Sequence, residues 1–230
     1  MTTAIAWIDG RWGTPGSLAL PLNDRGLQLA DGLFETVLVR RGAAMLLEEH
    51  LQRWRAGAEL LGMAAPPDRS MVSPLLTEAV QRSHSADADA VLRLNWSRGG
   101  AGRGIDQPAT GGERFWLTLE PFQPLFSTVS TVISRLEQRN ASSVLSRCKS
   151  FAYGQAIQAR REAQQRGTDD ALLRNTDGQL CCGTVANLLV HRHGTWLTPP
   201  VSSGCLPGVM RGACLANGLA QERDCLLYTS

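Results

Sequence analysis

The sequence predicts an α/β chain built as two units, and three observations carry that prediction. Strand-like runs flank two-residue turns at Asp9-Gly10 and Arg41-Gly42, the hairpin signature of an α+β unit. Leu51, Trp54, Ala58 and Leu61 recur at three- and four-residue spacing, which describes one face of a helix. Two prolines in EPFQPLF, residues 120–126, separate two strand-like runs and mark a boundary. The expected division is therefore a small domain over residues 1–120, a linker over 121–126, and a larger domain over 127–230.

Taken in order, residues 4–8 and 11–12 form the first hairpin, and LFETVLVRRGAAMLL forms the second. A helix follows from Glu48 to Leu61, and Ser73-Pro74 is read as the cap and start of another that runs to about Ser83. VLRLNW alternates like a half-buried strand, and RFWLTLE supplies the next. Beyond the linker, the Thr/Val/Ile-rich STVSTVIS reads as a strand. KSFAYGQAIQARREAQQRG reads as a helix ended by Gly167. Short strands turn at Asp177-Gly178 and His193-Gly194, and LPGVMRGACLANGLAQ reads as a loop leading into a final helix.

Composition narrows the function classes. The formal charge of +2 comes from scattered residues, so neither a nucleic-acid groove nor a polybasic membrane anchor is expected, and a small-molecule partner is the default. No apolar run approaches the roughly 18 residues of a membrane span, and MTTAIAWIDGRW lacks the basic start of a secretory signal. The six cysteines show neither CxxC pairs nor small-domain disulfide spacing, which fits reduced thiols and a cytoplasmic location.

Of 23 basic residues, Lys149 is the only lysine. A guanidinium stays protonated and is a poor nucleophile, whereas a lysine amine can lose its proton and form an imine with a carbonyl. A chain that otherwise uses arginine throughout thus marks Lys149 as the candidate nucleophile. The stretch SRGGAGRGI, 97–105, lacks the Lys-Ser/Thr of a P-loop and the GxGxxG spacing, and reads as a flexible loop. Its Arg98 and Arg103 carry planar forks suited to a substrate carboxylate. His191 and His193 share a strand face without a matching carboxylate or thiol. Cys181 and Cys182 point to opposite faces, so no metal is expected.

NDRGLQLADGLFET, EEHLQRW, SRGGAGRGI, RCKSFAYGQAIQAR, GTDDALLRNTDGQLCCGTVANLLV and LPGVMRG, in that order, resemble the fold-type IV pyridoxal phosphate enzymes, the class IV aminotransferase family. The resemblance implies a D-amino acid aminotransferase-like fold, whose C-terminal domain is a β-rich pseudo-barrel, with pyridoxal 5'-phosphate in the cleft between domains and a homodimeric assembly. It also implies roles. Lys149 carries the cofactor, Arg53 grips its phosphate, and the Tyr153 hydroxyl meets its ring oxygen. Leu206 packs on the ring, and the backbone N–H groups of Val209 and Met210 hold the phosphate at a helix N-terminus.

Two departures from the family pattern stand out. Cys182 occupies the position of the glutamate that pairs with the pyridine nitrogen. Relatives also continue beyond the LPGVMRG helix, so the C-terminal part reads as incomplete. Met210, the glycine-rich loop and the CCGTVAN run resemble the lyase branch of the family, which turns 4-amino-4-deoxychorismate into p-aminobenzoate and pyruvate. The alternatives are a branched-chain or D-amino acid transaminase, and a non-catalytic cofactor-binding remnant.

Overall fold

A computed structural model describes residues 2–100, 104–106 and 111–224. The chain divides into two compact units: residues 1–125 with 149–151, and residues 126–148 with 152–230.

The first unit is a six-stranded antiparallel sheet with helices. In chain order it comprises β1 (Ile5–Ile8), β2 (Arg11–Gly13), α1 (Arg25–Leu29), β3 (Gly32–Arg40), β4 (Ala43–Ala44), α2 (Leu47–Leu60), α3 (Arg69–Arg82), β5 (Asp89–Ser97) and β6 (Arg114–Pro121). The sheet order is β2-β1-β6-β5-β3-β4. Both expected hairpin turns form with positive φ at each central residue, 50° and 77° at Asp9-Gly10 and 47° and 77° at Arg41-Gly42. That backbone matches the right-handed twist of the strands it joins. Leu47, Leu51, Trp54 and Ala58 are the buried stripe of α2, which packs on β3. Glu48 and Glu49 favour its positive N-terminal end. Trp54 lies 5.9 Å from the Phe115 ring, and burying one such side chain contributes about 1.5–3 kcal/mol.

Helix α3 begins at Arg69, five residues before the expected start at Pro74. Asp68 is its cap, with Oδ1 accepting the N–H groups of Ser70 and Met71, and Pro74 sits inside the helix. The short helix α1 was not anticipated. It is one turn long, and Asp24 caps it by accepting from Gly26 N and Leu27 N.

The second unit contains β7 (Thr131–Arg139), α4 (Gly154–Gln165), β8 (Asp170–Asn175), β9 (Leu180–Gly183), β10 (Val190–Arg192), β11 (Thr195–Thr198), α5 (Val209–Ala216) and β12 (Gln221–Glu222). Strands β7, β8 and β9 form one sheet, in which β7 and β8 are parallel and joined by the α4 crossover, and β10, β11 and β12 form another. Ala159 and Ala163 of α4 meet Ala171 and Leu173 of β8, Cys181 and Cys182 of β9, and Cys205 in one buried cluster. All four residues of β9 are buried, so both adjacent cysteines lie inside. Strand β7 begins at Thr131, after the first four residues of STVSTVIS, and α4 begins at Gly154, five residues beyond Lys149.

Candidate active site

Lys149 lies outside any helix, and β3 uses its backbone. The Phe34 N–H donates to the Lys149 carbonyl at 2.9 Å, Ser150 bridges Leu33, and the Phe151 N–H donates to the Gly32 carbonyl at 3.0 Å. Gly32 permits this approach, since a Cβ there would fall 2.3 Å from the Phe151 ring. The Lys149 Nζ lies 4.5 Å from the centre of the Phe34 ring, and the Arg93 guanidinium carbon lies 3.7 Å from the same centre. Two cations thus rest on one aromatic ring that is 5% exposed. Arg93 is oriented by the Asn95 Oδ1, which accepts from its Nε at 2.8 Å.

Arg53 projects from α2 toward Glu35 on β3. Its Nε donates to Glu35 Oε1 at 2.9 Å and its Nη2 donates to Oε2, while His50 Nδ1 meets Oε2 at 2.7 Å. Glu35 is fully buried. Burial alone would raise its carboxyl, but the hydrogen bonds from His50 and Arg53 and their charges outweigh it and hold the group below its ordinary value. Sequence reasoning missed this triad. Its signals were a carboxylate interrupting the apolar run LFETVLV and a histidine three residues before Arg53, on the same helix face.

Arg98, expected on a loop facing substrate, is turned inward instead. It is 9% exposed, its Nε meets both oxygens of Asp31 at 2.9 and 3.1 Å, and its Nη1 and Nη2 donate to the carbonyls of Gly62 and Leu61. Asp31 also accepts from Arg25 Nε at 2.8 Å. Arg103 lies outside the described residues.

In the second unit Tyr153 is the residue before the first turn of α4. Cys182 is 8% exposed. The adjacent Cys181 thiol and burial push its own thiol far up, so it is neutral. The turn Leu206-Pro207-Gly208 leads into α5, whose first residues are Val209 and Met210 and whose N-terminus has no side-chain cap. Asn187, from the CCGTVAN run, secures this turn, its Nδ2 donating to the Leu206 carbonyl at 2.8 Å. A Cβ on Gly208 would fall 1.8 Å from the Asn187 Oδ1, so a larger residue there would displace that strut.

The structure therefore gathers Lys149 with Phe34 and Arg93, Arg53 with Glu35 and His50, and Leu206 and Gly208 with Asn187. The chemistry within each unit is compatible with pyridoxal phosphate: the first holds a primary amine able to form an imine with an aldehyde and a guanidinium suited to an anion, and the second holds an uncapped helix start whose N–H groups favour an anion. Among the described residues no group of His, Cys, Asp and Glu could hold a metal ion, and no helix is long and apolar enough to cross a membrane.

Comparison with known proteins gives this donor set a family. Residues 32–228 match the model of amino-transferase class IV. A Schizosaccharomyces pombe protein, provisionally named aminodeoxychorismate lyase, is 32% identical over 196 residues, covering 84% of this chain and 76% of the relative. A bifunctional aminodeoxychorismate lyase / D-amino acid transaminase of Mycobacterium tuberculosis is 26% identical over 237 residues, covering 96% and 80%. Among solved structures, a hypothetical aminotransferase from Mycobacterium tuberculosis in its pyridoxal phosphate-bound form is 25% identical. It superposes with a TM-score of 0.80 and covers 97% of this chain and 82% of that one. The chain therefore belongs to the class IV aminotransferase family, with pyridoxal phosphate as its cofactor.

Proposed function

We propose that the chain is a lyase that converts 4-amino-4-deoxychorismate to p-aminobenzoate and pyruvate, with Lys149 as its catalytic residue. The observation that carries this reading is Cys182, a buried neutral thiol at the position where the family resemblance places a carboxylate. Bound pyridoxal phosphate supplies an electron sink to the carbon that bears the substrate amine. A neutral thiol beside its ring nitrogen stabilises that sink less than a carboxylate does. Elimination tolerates this, because the electrons leave at once through the enolpyruvyl ether bond and the carbocycle becomes aromatic.

Within this proposal Lys149 would hold the cofactor through its amine, and arrival of the substrate amine would leave the lysine amine available as a base. The freed amine then takes the proton from the amine-bearing carbon. As the C–O bond of the enolpyruvyl ether breaks, the electron pair departs with oxygen, and Lys149 returns the proton to the leaving enol to give pyruvate. By the family resemblance, Arg53 and the N–H groups of Val209 and Met210 would hold the phosphate, Leu206 would cover the ring, and Tyr153 would meet the ring oxygen. Of the two loop arginines assigned to substrate, Arg98 is committed to Asp31 and the end of α2, which leaves the carboxylate role to Arg103. Homodimeric assembly and a cytoplasmic location belong to the same proposal, the latter supported by the free state of Cys148, Cys181, Cys182, Cys205 and Cys214.

The 26% identical bifunctional relative favours a second reading, D-amino acid transamination on the same residues. Parallel assays for p-aminobenzoate release and for amino transfer to 2-oxoacids separate the two. The proposal expects p-aminobenzoate formation to dominate. Amino transfer without p-aminobenzoate would reject it, and bound cofactor with neither activity would point to a non-catalytic remnant.

A further inference from the structure

We infer that Glu35 is a positioning residue for the cofactor phosphate, acting through Arg53 with His50 as the third member of the assembly. The inference rests on the reading that Arg53 meets the phosphate.

The geometry is specific. Glu35 stands on β3, Arg53 and His50 one turn apart on α2, and β3 and α2 pack together. The carboxylate is fully buried and takes the Nε–Nη2 edge of the guanidinium with one oxygen on each nitrogen, while His50 Nδ1 occupies Oε2 as well. A guanidinium is planar, so fixing one edge fixes the plane and thereby the direction of the other nitrogen's N–H groups. A free arginine side chain carries about 2 kcal/mol of rotamer entropy, and an anion meeting a mobile fork must overcome the ordering of that chain. Here the ordering is already done by Glu35. The arginine is also held where its exposure is only 12%, in surroundings where a charge-assisted contact is stronger than in water.

Charge leads to the same role. Glu35 and Arg53 neutralise each other, so the assembly offers a phosphate a directed donor array rather than a bare positive charge. Recognition then depends on donor direction, and it discriminates between a ligand that carries the phosphate and one that does not. A carboxylate whose purpose was fold stability alone would lack that discrimination.

The test compares the affinities of the whole 230-residue apo chain for pyridoxal 5'-phosphate and for pyridoxal, which lacks the phosphate. Glu35→Asp keeps the charge but retracts the oxygens by one methylene, and Glu35→Gln removes the charge. Circular dichroism verifies the fold of each variant. We expect both to lower the preference for the phosphorylated ligand, Gln by about tenfold, the equivalent of one charge-assisted hydrogen bond, with pyridoxal binding close to that of the parent. Equal weakening of the two ligands, an unchanged preference in either folded variant, or failure of both variants to fold would overturn the inference and leave Glu35 a stability element. Arg53→Ala separates this from the underlying reading. If Arg53→Ala leaves the preference intact, the phosphate role of Arg53 is itself wrong. If Arg53→Ala abolishes the preference while the Glu35 variants keep it, only the positioning role fails.

Discussion

Arg98 illustrates how a residue's chemistry can be legible while its direction is not. Its fork was read as one for a substrate carboxylate, but the carboxylate it meets belongs to Asp31, a residue 67 positions away in sequence. Nothing in a loop sequence reveals which way such a side chain turns, because the partner is supplied by the fold. The pair is mostly buried, and removing one member of a buried ion pair leaves the other uncompensated. Arg98→Ala should therefore destabilise the chain by about 3 kcal/mol, the lower end of the range for buried pairs, since Arg25 still faces Asp31. Urea unfolding measures this, and a loss below about 1 kcal/mol would show that the pair behaves like a surface ion pair. Lys149, by contrast, stood out in the sequence because its chemistry is one that arginine cannot perform.

At the level of elements, turns and amphipathic faces were readable and irregularities were not. Hairpin turns at Asp9-Gly10, Arg41-Gly42 and His193-Gly194 all form with positive φ, since the dipeptides impose it locally. The start of α3 was displaced because Asp68 already caps it, accepting the N–H groups of Ser70 and Met71, so the helix is under way before Ser73. Strand β7 contains a register shift against β8 between Ile133 and Gln138, which no periodicity announces. There the Glu162 carboxylate, from α4, accepts the N–H groups of Arg135 and Leu136 and the Ser134 hydroxyl, satisfying backbone donors that the shift takes out of the ladder.

Those contacts, the Ser134 hydroxyl first, hold the Glu162 carboxyl below its ordinary value of 4.5. A depressed carboxyl adds stability above the unfolded-state value and loses it as pH falls through the folded-state value. The stability gap between the parent and Glu162→Gln should accordingly be widest near neutral pH and narrow on acidification below about pH 4.5. Thermal melts across that range measure it. A gap independent of pH would mean that the ionised form is not what secures the bulge.

For the whole molecule, the feature hardest to read was the departure of residues 149–151 from their sequence neighbours. They lie in the crossover between β7 and β8, yet they pack with the first unit through backbone bonds to β3. Their backbone groups pair with residues more than a hundred positions away, and no local pattern encodes such a pairing. Read locally, the same stretch looked like the start of a helix. Resemblance along the chain identified the family where periodicity could not, and the match over residues 32–228 agrees with it. On the proposed reading, the single lysine is where this family's cofactor is attached. Borohydride reduction of the cofactor-loaded chain, followed by peptide mapping, tests this: a pyridoxyl label is expected on the peptide containing Lys149, and a label confined to the amino terminus, or none, would refute it.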